Sequence, residues 1–150
     1  MICFDCTMKK IIYILALLFA LQISGQETTH QTFSQSTEKA KSENKKVLLY
    51  FSGSDWCAPC VKFKKQFILT DAFDAFAKET LVTYNADFPR LKKNQLSKEI
   101  TQENEALAEK YNNTGIFPLI LLLDSDGKII KKWDHLPTET LEEFMAKLKS

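Results

Sequence analysis

Cys57, Ala58, Pro59 and Cys60 stand between two segments of opposite character. Before them comes a continuous apolar run, Val47, Leu48, Leu49, Tyr50 and Phe51, the pattern of a strand buried on both faces. After them Val61, Phe63, Phe67 and Ile68 recur at helical spacing. Two cysteines three apart at a helix start share one face, with Cβ atoms about 5–6 Å apart in regular geometry. A disulfide needs about 3.5–4.5 Å, so a slight tightening of the first turn lets the pair close and open. Cys57 falls where unpaired backbone N–H groups and the helix dipole stabilise negative charge. That favours the thiolate, the form that attacks disulfides. Pro59 suits the first turn because it has no N–H to lose there. A structural disulfide and half of a zinc site are the competing readings. Zinc needs further ligands, and no second cysteine pair or histidine cluster accompanies this one in the folded segment. No cofactor or metal is expected, and the pair reads as redox-active.

The N-terminus has a different character. Lys9 and Lys10 precede an apolar stretch from Ile11 to Leu21, and polar Gln22 and small Ser24 and Gly25 follow. This is the charged, apolar, small-residue order of a secretory signal peptide. The expected division is a leader over residues 1–25 (with Met8 as an alternative start), a flexible lead-in over 26–35, and one domain over 36–150. The apolar stretch falls short of the roughly 20 residues a spanning helix wants, and an uncleaved membrane anchor is the alternative. Of the 4 cysteines, Cys3 and Cys6 precede the leader's basic residues, so an exported chain would keep Cys57 and Cys60. One closely spaced pair barely restrains an unfolded chain. Chemistry explains it better than stapling.

The rest of the chain reads as alternating elements. A short strand near Phe33 and a charged helix over 36–46 are expected, then the buried strand over 47–51. Asp71 is expected to cap a helix through Phe73 and Phe76. A strand follows over 81–86, then an exposed excursion over 87–101 and a helix over 102–111. Leu119 to Leu123 form a second buried strand, joined through a turn at 124–127 to a returning arm that ends at Trp133. Pro137 is expected to open the last helix, with Leu141, Phe144, Met145 and Leu148 on one face. That order implies an α/β domain with a mixed sheet and helices on both faces.

With Trp56 before Cys57, Pro118 before the late apolar strand, and Asp124 to Gly127 in the hairpin, the chain resembles the thioredoxin superfamily, from about Phe33 to Lys149. The resemblance implies the thioredoxin-like three-layer fold. The runs Phe51 to Cys57 and Asp87 to Arg90 look more like exported bacterial members than cytosolic thioredoxin. It implies Cys57 as the attacking thiolate and Cys60 as the resolving thiol; expected exposure also favours Cys57. Pro118 matches the family's cis-proline, and the Phe117 backbone would bind an extended substrate like an added strand. Trp56 would shield the pair. Two positions depart from the family. Tyr50 stands where thioredoxins bury an acid that assists the second cysteine, and Thr83 stands where that acid's lysine partner usually lies.

A net charge of +1, from 20 basic and 19 acidic residues, and the absence of an arginine-rich or aromatic-interleaved patch point away from nucleic acid. The basic stretch 90–98 reads as a solvated loop, with partner docking as the alternative. Asp124 to Gly127 opens like a calcium loop but lacks the downstream glutamate. The function expected is exported thiol–disulfide exchange that reduces protein disulfides. Its partners would be disulfide-containing proteins and a membrane-embedded electron-transfer protein. An oxidase or isomerase, or a non-catalytic binding module, are the alternatives.

Overall fold

Two apolar strands form the centre of the sheet. β1 (Lys46–Ser52) and β3 (Leu119–Leu123) pair antiparallel, with Leu49 opposite Leu121 and Tyr50 opposite Ile120. The computed structural model describes residues 31–150. The leader, the alternative start at Met8, the Cys3–Cys6 spacing and the first half of the 26–35 lead-in lie outside the described residues. No helix among the described residues is long and apolar enough to cross a membrane. β2 (Leu81–Asp87) runs parallel to β1, and β4 (Ile129–Trp133) runs antiparallel to β3, giving the order β2-β1-β3-β4.

Because side chains alternate along a strand, the central strands feed two cores. Val47, Leu49 and Phe51 join Leu119, Leu121 and Leu123 beneath α1 (Phe33–Ser42) and α4 (Lys98–Tyr111). Leu48, Tyr50, Ile120 and Leu122 face the other way. They lie under α2 (Ala58–Phe63), α3 (Asp71–Thr80) and α5 (Leu141–Lys149). The three-layer α/β architecture is the expected one.

The differences lie at element ends, where capping side chains decide. α1 begins at Phe33, ahead of the expected Ser36, because Thr32 and Gln35 form a reciprocal capping box. Phe33 is therefore helical rather than in a strand, and it packs edge-on to Tyr84 at 5.5 Å. Thr70, not Asp71, caps α3, and Asp71 instead places its charge in the first turn. Ser97 caps α4, which starts at Lys98, four residues ahead of the expected Gln102. Pro137 does not open the last helix; a Thr140–Glu143 capping box starts α5 at Leu141. At the hairpin, Asp124 accepts the backbone N–H groups of Asp126 and Lys128, and Gly127 takes φ +81°. The segment is a turn, as expected.

After α2 the chain makes one π-helical turn (Lys64–Ile68), closed by the Leu69 N–H on the Lys64 carbonyl at 2.9 Å. Phe63 and Phe67 then both point into the core, stacked at 5.4 Å. Phe144 of α5 meets them at 5.9 and 5.0 Å and meets Trp133 at 5.1 Å. This aromatic cluster braces the helix that carries Cys60. Phe144→Ala should therefore cost about 3–5 kcal/mol of stability, read from urea unfolding curves. A loss under about 1 kcal/mol would show that the cluster does not hold the helix layer together.

Candidate active site

β1 delivers the cysteine pair. After Ser52 the chain turns, and the Cys57 N–H returns to the Gly53 carbonyl at 2.9 Å. Cys57 is the N-cap of α2, with extended backbone, and its Sγ accepts the Cys60 N–H at 3.2 Å. Pro59 lies in the first turn. Cys57 and Cys60 form a disulfide with Cα atoms 5.3 Å apart, inside the range that bonded pairs occupy. The expected difference in exposure is absent: Cys57 is 5% exposed and Cys60 3%. Position separates them instead. Only Cys57 Sγ receives a backbone N–H of the helix start, which favours charge on that sulfur.

Aromatic rings build the wall beside the pair. The Trp56 ring lies against Gly53 so closely that a Cβ at Gly53 would overlap it. Its Nε1 donates to the Phe88 carbonyl at 2.7 Å. Phe117 packs edge-on to Trp56 at 5.1 Å and to Phe88 at 5.6 Å. The Phe117–Pro118 peptide bond is cis, as the resemblance implies, and Pro118 is buried while Phe117 is partly open. Trp56 and Phe117 thus line one groove with Phe88, whereas Pro118, next in the chain after Phe117, is buried and does not line it.

The segment 88–94 is part of this wall rather than a free excursion, and the sequence reading missed it. Asp55 accepts the backbone N–H groups of Arg90 and Leu91 at 2.9 Å each and Asn94 Nδ2 at 3.0 Å. These bonds, the Arg90 N–H first, hold its carboxyl below the usual carboxylate range. Asp55 is a clamp. A fixed end for the segment comes from β2, where buried Asn104 donates to the Asp87 carbonyl at 2.9 Å. The only sequence signal was the joint presence of the 51–57 and 87–90 runs, which propensity cannot connect.

Cys60 borders a cavity of about 200 Å³ lined by Tyr50, Ser52, Asn85, Lys64 and Lys65, among others. Asn85, not Thr83, is the β2 partner of Tyr50; Thr83 stands opposite Leu48 and is exposed. Asp87 is held by Ser52 Oγ at 2.9 Å, the Ser54 N–H at 2.9 Å and Ser54 Oγ at 2.6 Å. Burial, and then the Asp87 charge, push the Tyr50 hydroxyl up to about 12. Tyr50 stays protonated at neutral pH and cannot take a proton from Cys60.

The described elements from α1 to α5 coincide with a thioredoxin-like domain family, whose model matches residues 33–149. Disulfide bond reductase DsbH of Chlamydia pneumoniae is 33% identical, over 85% of this chain and 75% of that protein. Thioredoxin-related protein DsbJ of the same organism is 25% identical, over 90% of this chain and 41% of its own length. The solved structure of a DsbH oxidoreductase superposes with a TM-score of 0.69 at 30% identity, covering 79% of each chain. The chain belongs to the thioredoxin-like family. Its Cys57–Cys60 pair is the family's C-x-x-C motif, and the protein is a thiol–disulfide oxidoreductase.

Two consequences follow from Tyr50. Tyr50→Phe should leave the pH profile of resolution by Cys60 unchanged, whereas Tyr50→Asp should speed that step near neutral pH, at a stability cost of roughly a few kcal/mol. Stopped-flow decay of a mixed disulfide across pH reads both, and an unchanged Tyr50→Asp profile would mean that another group already serves Cys60. For stability, the folded pKa of about 12 exceeds the ordinary 10.0. The unfolded chain loses this proton first, so the contribution is intact below pH 10.0 and is lost as pH rises through about 12. Tyr50→Phe should flatten that alkaline loss in unfolding titrations.

Proposed function

We propose that this protein is an exported reductase of protein disulfides, with Cys57 as nucleophile and Cys60 as resolving thiol. The observation that carries the reading is the closed pair at the start of α2, in which Cys57 Sγ accepts the Cys60 N–H. In the reduced enzyme the Cys57 thiolate attacks one sulfur of a substrate disulfide. The substrate's other sulfur leaves as a thiolate and takes a proton, and a mixed disulfide remains. Cys60, giving up its proton, attacks Cys57 Sγ and releases the second substrate thiol. Two electrons pass to the substrate, and the pair ends as observed.

The reductive direction is supported by the name of the 33%-identical relative, a disulfide bond reductase, and by Pro59 beside the second cysteine, which resembles reducing members. Phe117, beside the cis bond to Pro118, would pair its backbone with an extended substrate, and Trp56 would cover the sulfurs. Export is supported by the charged, apolar and small-residue order of residues 9–25. Reduction outside the cytosol needs an electron supply, and a membrane-embedded dithiol donor is the partner that fits.

Cys60→Ser should accumulate mixed disulfides with protein substrates, visible on non-reducing gels and released by dithiothreitol. Cys57→Ser should abolish both trapping and turnover, down to the uncatalysed exchange rate. Equal residual activity in the two variants would mark a binding module instead. A reduction potential well above that of the glutathione couple would make the protein an oxidase.

A further inference from the structure

The groove beside the pair carries a cation with no carboxylate of its own. Trp56, Phe88, Pro89, Arg90, Gly115 and Phe117 enclose about 630 Å³ of open space there. The Arg90 guanidinium lies 3.9 Å from the centre of the Trp56 ring, and among the described residues no Asp or Glu forms an ion pair with it. Asp55, which holds the Arg90 backbone, is already taken up by two backbone N–H groups and Asn94. Asp55 therefore fixes the Arg90 backbone and leaves the side chain's donors unspent. A guanidinium over an aromatic face uses that face for its charge and keeps the N–H fork of its own plane for other partners, and such a fork matches a carboxylate. Lys92 and Lys93, both exposed on the same segment, add to the positive field.

We propose that Arg90 is a specificity determinant that selects disulfides flanked by an acidic side chain. The inference rests on the reductase reading and names its substrate class. An extended peptide that lies along Phe117 to bring its sulfur to Cys57 passes the Trp56 wall, where a neighbouring Asp or Glu meets the guanidinium. Because Arg90 is held in place before the substrate arrives, little ordering cost opposes the contact.

The test uses symmetric disulfides of one short peptide whose cysteine is flanked on both sides by Glu, Gln or Lys. Attack on either sulfur then gives the same mixed disulfide. The protein is reduced with dithiothreitol and desalted, so that Cys57 and Cys60 supply the two electrons. One turnover converts the pair to a disulfide and releases two peptide thiols, which are counted. Each rate is divided by the rate of the same peptide with free dithiothreitol, which removes differences in leaving-group acidity. The parent should favour Glu over Gln by about fivefold and disfavour Lys by a similar factor, and added salt should shrink both ratios. Arg90→Gln should bring the three rates together, and Arg90→Glu should invert their order. A purely structural role for Arg90 would lower all three rates alike, which would overturn the proposal. So would equal normalised rates in the parent. Failure to reduce any of the peptides would overturn the reductase reading and this inference with it.

Discussion

The double burial of β1 organises the molecule. A strand with Leu48, Leu49 and Phe51 all at 0% exposure can exist only where helices cover both faces of the sheet. Its antiparallel neighbour β3 is buried along its whole length. The crossover from β1 to parallel β2 carries α2 and α3 on one face, while α1 and α4 cover the other. The point at which the chain leaves β1 is then fixed by two cores at once. The residues just past that point inherit its rigidity, and those residues are Gly53 to Cys57. In open α/β sheets the carboxyl ends of strands are where ligands bind, and the cysteine pair stands at such an end.

Rigidity alone does not make the surroundings of the pair. Three long-range contacts converge on it: Asp55 with the segment 90–94, Trp56 with the Phe88 carbonyl, and Phe117 with both rings. Gly53 permits the arrangement because any side chain there would displace Trp56. The wall is thus assembled from the end of β1, the end of β2 and the approach to β3. Asn104 connects it to the far face by fixing the last carbonyl of β2, and its own Oδ1 accepts from the buried Tyr84 hydroxyl at 3.1 Å.

The parts of this structure readable in the sequence are those written in local pattern. The apolar runs at 47–51 and 119–123 specify the central strands, the helical spacing after Cys60 specifies α2, and the glycine at 127 supplies the positive φ of the hairpin. Cis Pro118 was visible only through the family resemblance. The misplaced helix starts share a cause. Asp71 and Pro137 carry favourable propensities, but the caps were formed by Thr70 and Thr140, whose hydroxyls reach the third helical N–H. Propensity ranks candidates, and geometry chooses among neighbours. The Asp55 clamp was beyond such reading, because it joins residues 35 and 36 positions apart and nothing local in 88–94 demands an acceptor.

The chemical asymmetry of the pair has the same origin. Exposure does not distinguish the two sulfurs, since both are nearly covered. What differs is the group each one meets. Cys57 Sγ meets a backbone donor, which lowers the energy of its thiolate. Cys60 borders a small cavity whose tyrosine holds its proton up to about 12 and whose rim carries Lys64 and Lys65. A neutral hydroxyl and nearby cations can stabilise a thiolate once formed, but neither accepts a proton. A thioredoxin-like enzyme with a buried acid beside its second cysteine has a built-in proton acceptor for resolution. Here no carboxylate lines the cavity that Cys60 borders, so a proton released by Cys60 has that cavity, and not a neighbouring acid, as its way out. The two designs share a backbone and a sulfur pair and differ in where that one proton goes.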